Sequence, residues 1–415
     1  MSKPLMIVAM VAASVPGWAE TIAITQATVY QRPDRKLDNA TVVIRDGKIV
    51  AVGTGVAVPA GAKQIAGKGK VVTAGLIEAQ TLIGLVEIEL EQAANDGRFG
   101  TTPTEIHAAY RSVDAYDPRS VAIAIARTGG VTSVITGPRG GLVSGQAAWV
   151  SMADPSGAPV VIRAPAAMNA ALGPGAIATA SRGEAVERLR ELLDDVDAYR
   201  KNRAAFDRNQ SRRLVAGRLD LEALIPVLDG RVTLVVGASS DVDIRAALAI
   251  ARERRISIAI AGGIEAWRLA TELAAAKVPV LLDPTDNLPG LAAVDARDET
   301  AAILTKAGVP VAISTLGNAS AARTIRQLAG IAVANGMPWD KALAAITTVP
   351  AQIHGGRGRG TLDAGSVADV VVWSGDPLEL ATRAEVVIIG GNVQSLENHQ
   401  TRLRDRYRTL PARKR

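Results

Sequence analysis

Three histidines and no cysteine supply few metal ligands to this 415-residue chain. His107, His354 and His399 are widely separated, and none belongs to a cluster of ligand-type residues. A bound divalent ion needs several deprotonated donors converging on one point. The chemistry left open is that of carboxylates, which in pairs act as general acid and base. Glu78 lies in one apolar run, and Asp283 and Asp286 follow another, Val278 to Leu282. Glu78 and Asp283 are therefore the candidate catalytic residues. A serine nucleophile needs a strained elbow and a histidine base, and Leu142-Val143-Ser144-Gly145 does not have that pattern. Gly137-Pro138-Arg139-Gly140-Gly141 would suit an anion, through free amides and the Arg139 side chain, only if it turned inward. Gly and Pro mark turns first, so a plain turn is expected there. Glu87, Glu89 and Glu91 alternate with other residues and read as the solvated side of a strand or loop.

The elements that would position these residues alternate. Short apolar runs occur at Gly75–Ala79, Val131–Thr136, Val160–Ile162, Val232–Val236, Ile256–Ile260, Val278–Leu282 and Val309–Ile313. Amphipathic stretches such as Asp243–Arg254, Glu265–Ala276 and Asp298–Ala307 lie between several of them. Repeated strand-then-helix units with continuous apolar strands argue a parallel sheet covered by helices, and about eight units close a barrel. The count falls one short. The irregular stretch 164–220, with a charged helix expected at Glu184–Phe206, leaves the fourth strand unplaced. Both ends of the chain are strand-rich. Thr41–Val52 reads as a hairpin around Asp46-Gly47, and Ala368–Trp373 and Glu385–Ile389 read as strands.

Several segments now resemble the amidohydrolase superfamily, in particular its imidazolonepropionase-like branch. Val71-Val72-Thr73-Ala74-Gly75-Leu76-Ile77-Glu78-Ala79-Gln80-Thr81-Leu82 is similar to the family's first barrel strand, V-x-P-G-L-I-D-A-H-x-H. Ala342-Leu343-Ala344-Ala345-Ile346-Thr347-Thr348-Val349-Pro350-Ala351 is similar to its A-L-x-x-x-T-x-N-P-A helix. Gly360-Thr361-Leu362-Asp363-Ala364-Gly365-Ser366-Val367-Ala368-Asp369-Val370-Val371-Val372 is similar to its return into a small β domain. Gly308 to Thr315 resembles its eighth strand. The resemblance implies an α/β protein: a distorted (β/α)8 TIM barrel over 74–354, with a small β-sandwich from 20–73 and 355–396.

It also implies hydrolysis of amide or other C–N bonds at one or two metals. The ligands are two His on strand one, often a Lys on strand four, a His on each of strands five and six, and an Asp on strand eight. Carried over by position, these become Gln80 and Leu82, Gly237, Gly262 and Leu316. Glu78 stands for an Asp that is usually structural. Glutamine is a poor zinc ligand and the other four offer no side-chain donor. The expectation is a family member without a metal cofactor, non-catalytic, that binds a small molecule or supports a partner. That partner would be a second copy or a related amidohydrolase. The alternative is an active hydrolase with a rebuilt, carboxylate-based site.

Composition fits this picture. Hydrophobic residues are 48% and charged residues 21%, enough for a large core. Aromatics are only 3%, so stacking platforms for bases are few and no nucleic-acid partner is expected. The net charge of +6 is concentrated in a basic tail, 397–415. Residues 1–19 read as a signal peptide: Lys3, an apolar run from Leu5 to Val15, and Ala19 at the cleavage point. The expected location is the periplasm. The leader is too short to span a bilayer and no later stretch is long and apolar enough, so no stable membrane insertion is expected.

Overall fold

The computed structural model describes residues 20–99, 105–154, 161–173, 176–177, 181–290 and 293–408. The signal-peptide expectation (1–19) and the last basic residues, Arg413, Lys414 and Arg415, fall outside the described residues.

Strands come first: β1 (Ile22–Arg32), β2 (Arg35–Arg45), β3 (Lys48–Gly53), β4 (Lys63–Ala66), β5 (Val71–Ala74) and β6 (Leu76–Thr81). The middle of the chain adds β7 (Val131–Thr136), β8 (Val143–Ser151), β9 (Val161–Ala171), β10 (Thr233–Ala238), β11 (Ile258–Gly262), β12 (Val280–Leu282) and β13 (Val311–Ile313). The end returns to strands with β14 (Val370–Trp373), β15 (Ala384–Ile389) and β16 (Asn392–Val393).

The two ends of the chain meet in one sheet of order β16-β15-β14-β5-β1-β2-β3, with β4 paired to β1. The β2–β3 hairpin turns at Asp46 (φ 52°) and Gly47 (φ 72°), the double positive-φ geometry that Asp-Gly favours. The seam is the antiparallel pairing of β14 with β5, sealed by a Trp373 Nε1 hydrogen bond to Thr73 Oγ1 of 2.9 Å. Where the sequence suggested two facing layers, the strands form a continuous hydrogen-bonded sheet over the core of Ile22, Ile24, Val42, Ile44, Val72 and Val370.

Only Gly75 separates β5 from β6, so the chain passes directly from this sheet into a second one. That sheet has eight strands in chain order from β6 to β13. Five of its seven neighbouring pairs join strands the sequence pattern marked; the strand it missed is β8, antiparallel to both β7 and β9. Val161 and Ile162 of the third apolar run start β9, which continues to Ala171 and is the fourth strand. The pattern hid β8 because Gly145, Gln146 and two alanines interrupt its apolar content. The alternation of strand and helix breaks there: six residues, not a helix, join β7 to β8.

Helices cover the outside. Asp241–Arg254 forms as expected, capped by Ser240 Oγ accepting from Asp243 N. The long charged helix is Arg182–Lys201, opened by a Ser181/Glu184 capping box and followed by the short helix Arg203–Asp207. Part of the basic tail is itself helical, His399–Arg408.

Candidate functional site

The barrel interior is built from small side chains. Ala79, Ala147, Ala166, Ala167, Ala259, Ala261 and Ala312 line it together with Ile77, Ile135, Val235 and Leu281. Bulk comes from the fully buried Trp149 on β8. His354, 1% exposed, packs at the N-terminal end of the barrel, where the Arg163 guanidinium donates to the His354 and Gly355 carbonyls.

Closure between β6 and β13 runs through Glu78. Its carboxylate is fully buried and accepts from Ser314 Oγ, from Thr315 N at 3.3 Å, from Thr315 Oγ1 at 3.2 Å and from Gln80 N at 3.2 Å. The Gln80 carbonyl accepts from Gly317 N at 2.9 Å and Ser314 Oγ at 3.1 Å. Burial pushes the Glu78 carboxyl up to about 7, against the hydrogen bonds, which favour its charged form. A carboxylate so placed staples the first strand to the eighth. It is not among the residues that line the cavity above.

That cavity has a volume of about 600 Å3 and sits at the C-terminal ends of the strands. This is the size range of small-molecule sites and the face where barrel enzymes work. Of the positions carried over from the resemblance, Gln80, Gly237, Gly262 and Leu316 line it. Leu82 does not; it is buried beside Gly97, in the loop that follows β6. Asp283 lines the cavity as well, its Oδ1 held by Thr285 N at 2.8 Å and Thr285 Oγ1 at 2.6 Å. Gly262 has φ +94°, and a Cβ there would lie 3.0 Å from Ser239 Oγ, so this backbone is shaped for glycine and would strain any ligand side chain.

The rest of the lining was missed or only half read in the sequence. Pro138 to Gly141 does turn inward, and Arg139 reaches into the cavity, donating from Nη1 to the Leu316 carbonyl. Solvent reaches the guanidinium although protein surrounds it; burial pushes its pKa down, with Arg98 adding to this, while Asp286 and Glu89 oppose it. Asn169, 4% exposed, lies two residues before the end of β9 and donates to the Pro138 carbonyl at 3.0 Å. It could not be found because the fourth strand was not placed. Asp286 is pushed up by its enclosed position and by Asp283, with Arg139 pulling the other way. The three glutamates have separate local roles: Glu89 lines the cavity and pairs with Arg98 at 3.4 Å, Glu87 accepts from Val121 N, and Glu91 caps a short 3-10 turn.

The resemblance implies a metal here. Gln80, Leu82, Gly237, Gly262 and Leu316 do not make a donor set for one, and among the described residues no group of three or more His, Cys, Asp or Glu is placed to hold a metal ion. The histidines are dispersed: His107 stacks on Phe99 at 4.1 Å, His354 lies in the barrel floor and His399 opens the last helix.

Comparison with known proteins places this geometry. Residues 333–394 match the Amidohydrolase family. The structure is similar to an amidohydrolase from Thermotoga maritima MSB8, with 26% identity, a TM-score of 0.80 and coverage of 90% of this chain and 99% of that one. It is similar in fold to molinate hydrolase, at 17% identity and a TM-score of 0.57, covering 91% of this chain and 95% of that one. The same holds for an adenosine deaminase with bound zinc from Xanthomonas campestris, at 17% identity and a TM-score of 0.51, covering 94% and 99%. No curated protein matches the sequence. The resemblance read from the sequence is to the superfamily that these structures represent.

Proposed function

With an amidohydrolase-superfamily fold as the premise, we propose that this protein binds a small polar ligand in the barrel mouth without hydrolysing it at a metal. The observation that carries this reading is the lining itself. Where the family resemblance calls for imidazoles and a carboxylate, the cavity has glutamine, glycines and a leucine, yet it stays open at about 600 Å3. The remaining polar groups suit recognition. Arg139 has no carboxylate within 4 Å among the described residues and supplies a guanidinium to an anionic group. Asp283 and Asp286 supply acceptors at the end of β12. Export to the periplasm, and pairing with a second copy or a related amidohydrolase, belong to the same proposal.

A thermal-shift screen of small carboxylates and amides against the full chain tests this reading. A saturating ligand is expected to raise the melting temperature, and Arg139→Ala is expected to weaken it by about tenfold, the worth of one charged hydrogen bond. A ligand whose affinity is unchanged in Arg139→Ala contradicts the placement of the site.

A second reading, hydrolysis by carboxylates, has one observation in its favour: the Asp283/Asp286 pair, with Asp286 shifted up toward a proton-holding state. On that reading, turnover of amides or lactams would be lost in Asp283→Asn and Asp286→Asn. On the binding reading, no substrate in the screen turns over in wild type.

A further inference from the structure

A second cavity, of about 450 Å3, opens where the helix Val121–Thr128 meets the C-terminal segment. Arg119, Arg127, Asp154, His399 and Arg402 line it. Arg127 is the unusual member. It is 4% exposed, and among the described residues its one side-chain hydrogen bond runs from Nη1 to Gln394 Oε1 at 3.3 Å. That oxygen is already shared with Asp154 N at 2.8 Å. The Arg127 Nε is buried and has no hydrogen-bond partner among the described residues. No carboxylate lies within 4 Å of the guanidinium among the described residues.

A second buried arginine shows what a purely structural guanidinium looks like in this protein. Arg326, 6% exposed, donates to the carbonyls of Pro377 at 3.1 Å, Glu379 at 2.7 Å and Thr382 at 2.5 Å. Its charge is buried, but acceptors surround it. Arg127 has five N–H donors and, among the described residues, one long, shared acceptor, and an under-satisfied buried cation is costly. Water and the more distant Asp154 offset only part of that deficit, while an oxyanion would supply the missing acceptors. The rim is suited to help. Arg119 pairs with Asp117 at 3.5 Å and Arg402 with Glu397 at 3.8 Å, both largely exposed pairs of the weak kind that can be exchanged.

We propose that this seam is a binding site for a small oxyanion, a phosphate or carboxylate group, held by Arg127 from beneath and by Arg119 and Arg402 at the rim. It is separate from the barrel-mouth cavity, with which it shares no lining residue. Occupancy would tie the helix His399–Arg408 to the barrel, because Arg127 and Arg402 come from the two sides of the seam.

The test is isothermal titration of the full chain with inorganic phosphate at constant ionic strength, repeated with acetate, together with amide hydrogen exchange of residues 399–408. Saturable binding is expected, weakened about tenfold in the Arg119→Gln/Arg402→Gln double variant, whose exposed positions leave the fold intact. Arg127→Gln is expected to abolish binding at the seam together with its effect on exchange in 399–408, and that effect is expected to persist in Arg139→Ala. Phosphate or acetate is expected to slow exchange in 399–408. No saturable binding, equal binding in the double variant, or loss of the exchange effect on 399–408 in Arg139→Ala would each overturn the proposal; the last would move the anion to the barrel mouth. If Arg127→Gln does not fold, the double variant and the exchange data decide.

Discussion

Replacing Trp149 with alanine is expected to lower the unfolding free energy by about 4 kcal/mol, the middle of the range for truncating a buried aromatic. The reason lies in what surrounds it. Barrels of this kind are ordinarily filled by bulky branched side chains; this one is lined largely by alanine, and Trp149 supplies the bulk. Its ring lies tightly against Gly356, where an added Cβ would fall 2.0 Å away. Alanine neighbours have no side chains that can move into the space, so the void left by the ring would persist. Urea denaturation with an unchanged m-value would measure the cost. A loss below about 1 kcal/mol would mean that Trp149 does not fill the interior as described.

The second large effect concerns pH and two buried groups that oppose one another. Glu78 is pushed up from 4.5 to about 7, and His354 is pushed down from 6.5 to about 4, both chiefly by burial. Among the described residues neither ring nitrogen of His354 makes a well-formed hydrogen bond, and the polar backbones of Ala166 and Ala79 beside the ring offset the burial only in part. A raised carboxyl means that the folded state holds its proton longer than the unfolded chain, so the Glu78 contribution is full below pH 4.5 and is lost as pH rises to about 7. A depressed imidazole works in reverse: its contribution is full above pH 6.5 and is lost as pH falls to about 4. Each is worth on the order of 3 kcal/mol, and over the shared window they cancel. Wild type should therefore show a shallow stability profile from these groups. Glu78→Gln should expose the histidine, giving stability that falls on acidification. His354→Leu should expose the glutamate, giving stability that falls as pH rises. Urea midpoints at several pH values between 4.5 and 7.5 measure both slopes; profiles parallel to wild type in both variants would contradict this account.

Much of this architecture is legible in the residues. Continuous apolar runs mark parallel strands buried on both faces, and seven of them lie inside or against strands of the barrel sheet. The Asp46-Gly47 turn and the terminal strands are equally clear. What stayed hidden has a physical cause. The antiparallel β8 carries Gly145 and alanines where a run of Val or Ile would have marked it. Glu78 reads as a pocket acid because its partners, Ser314 and Thr315, are more than 230 residues away, and only closure of the sheet brings them to it. Arg139 depended on a loop direction that Gly and Pro permit but do not dictate. Gln80, Gly237, Gly262 and Leu316 share one cavity because strand ends are fixed by strand register; Leu82 lies apart from them, beside Gly97.

The claim on which the functional reading depends is that Gln80, Gly237, Gly262 and Leu316 cannot hold a divalent ion. Elemental analysis of the full chain, purified without chelator and then dialysed against buffer with and without added zinc, nickel and manganese, tests it directly. The expected result is far less than one equivalent of any metal and no change in melting temperature on addition. One tightly held equivalent per chain, released by a Gln80→Ala or Asp283→Ala substitution, would contradict it and return the protein to the metal-dependent hydrolases.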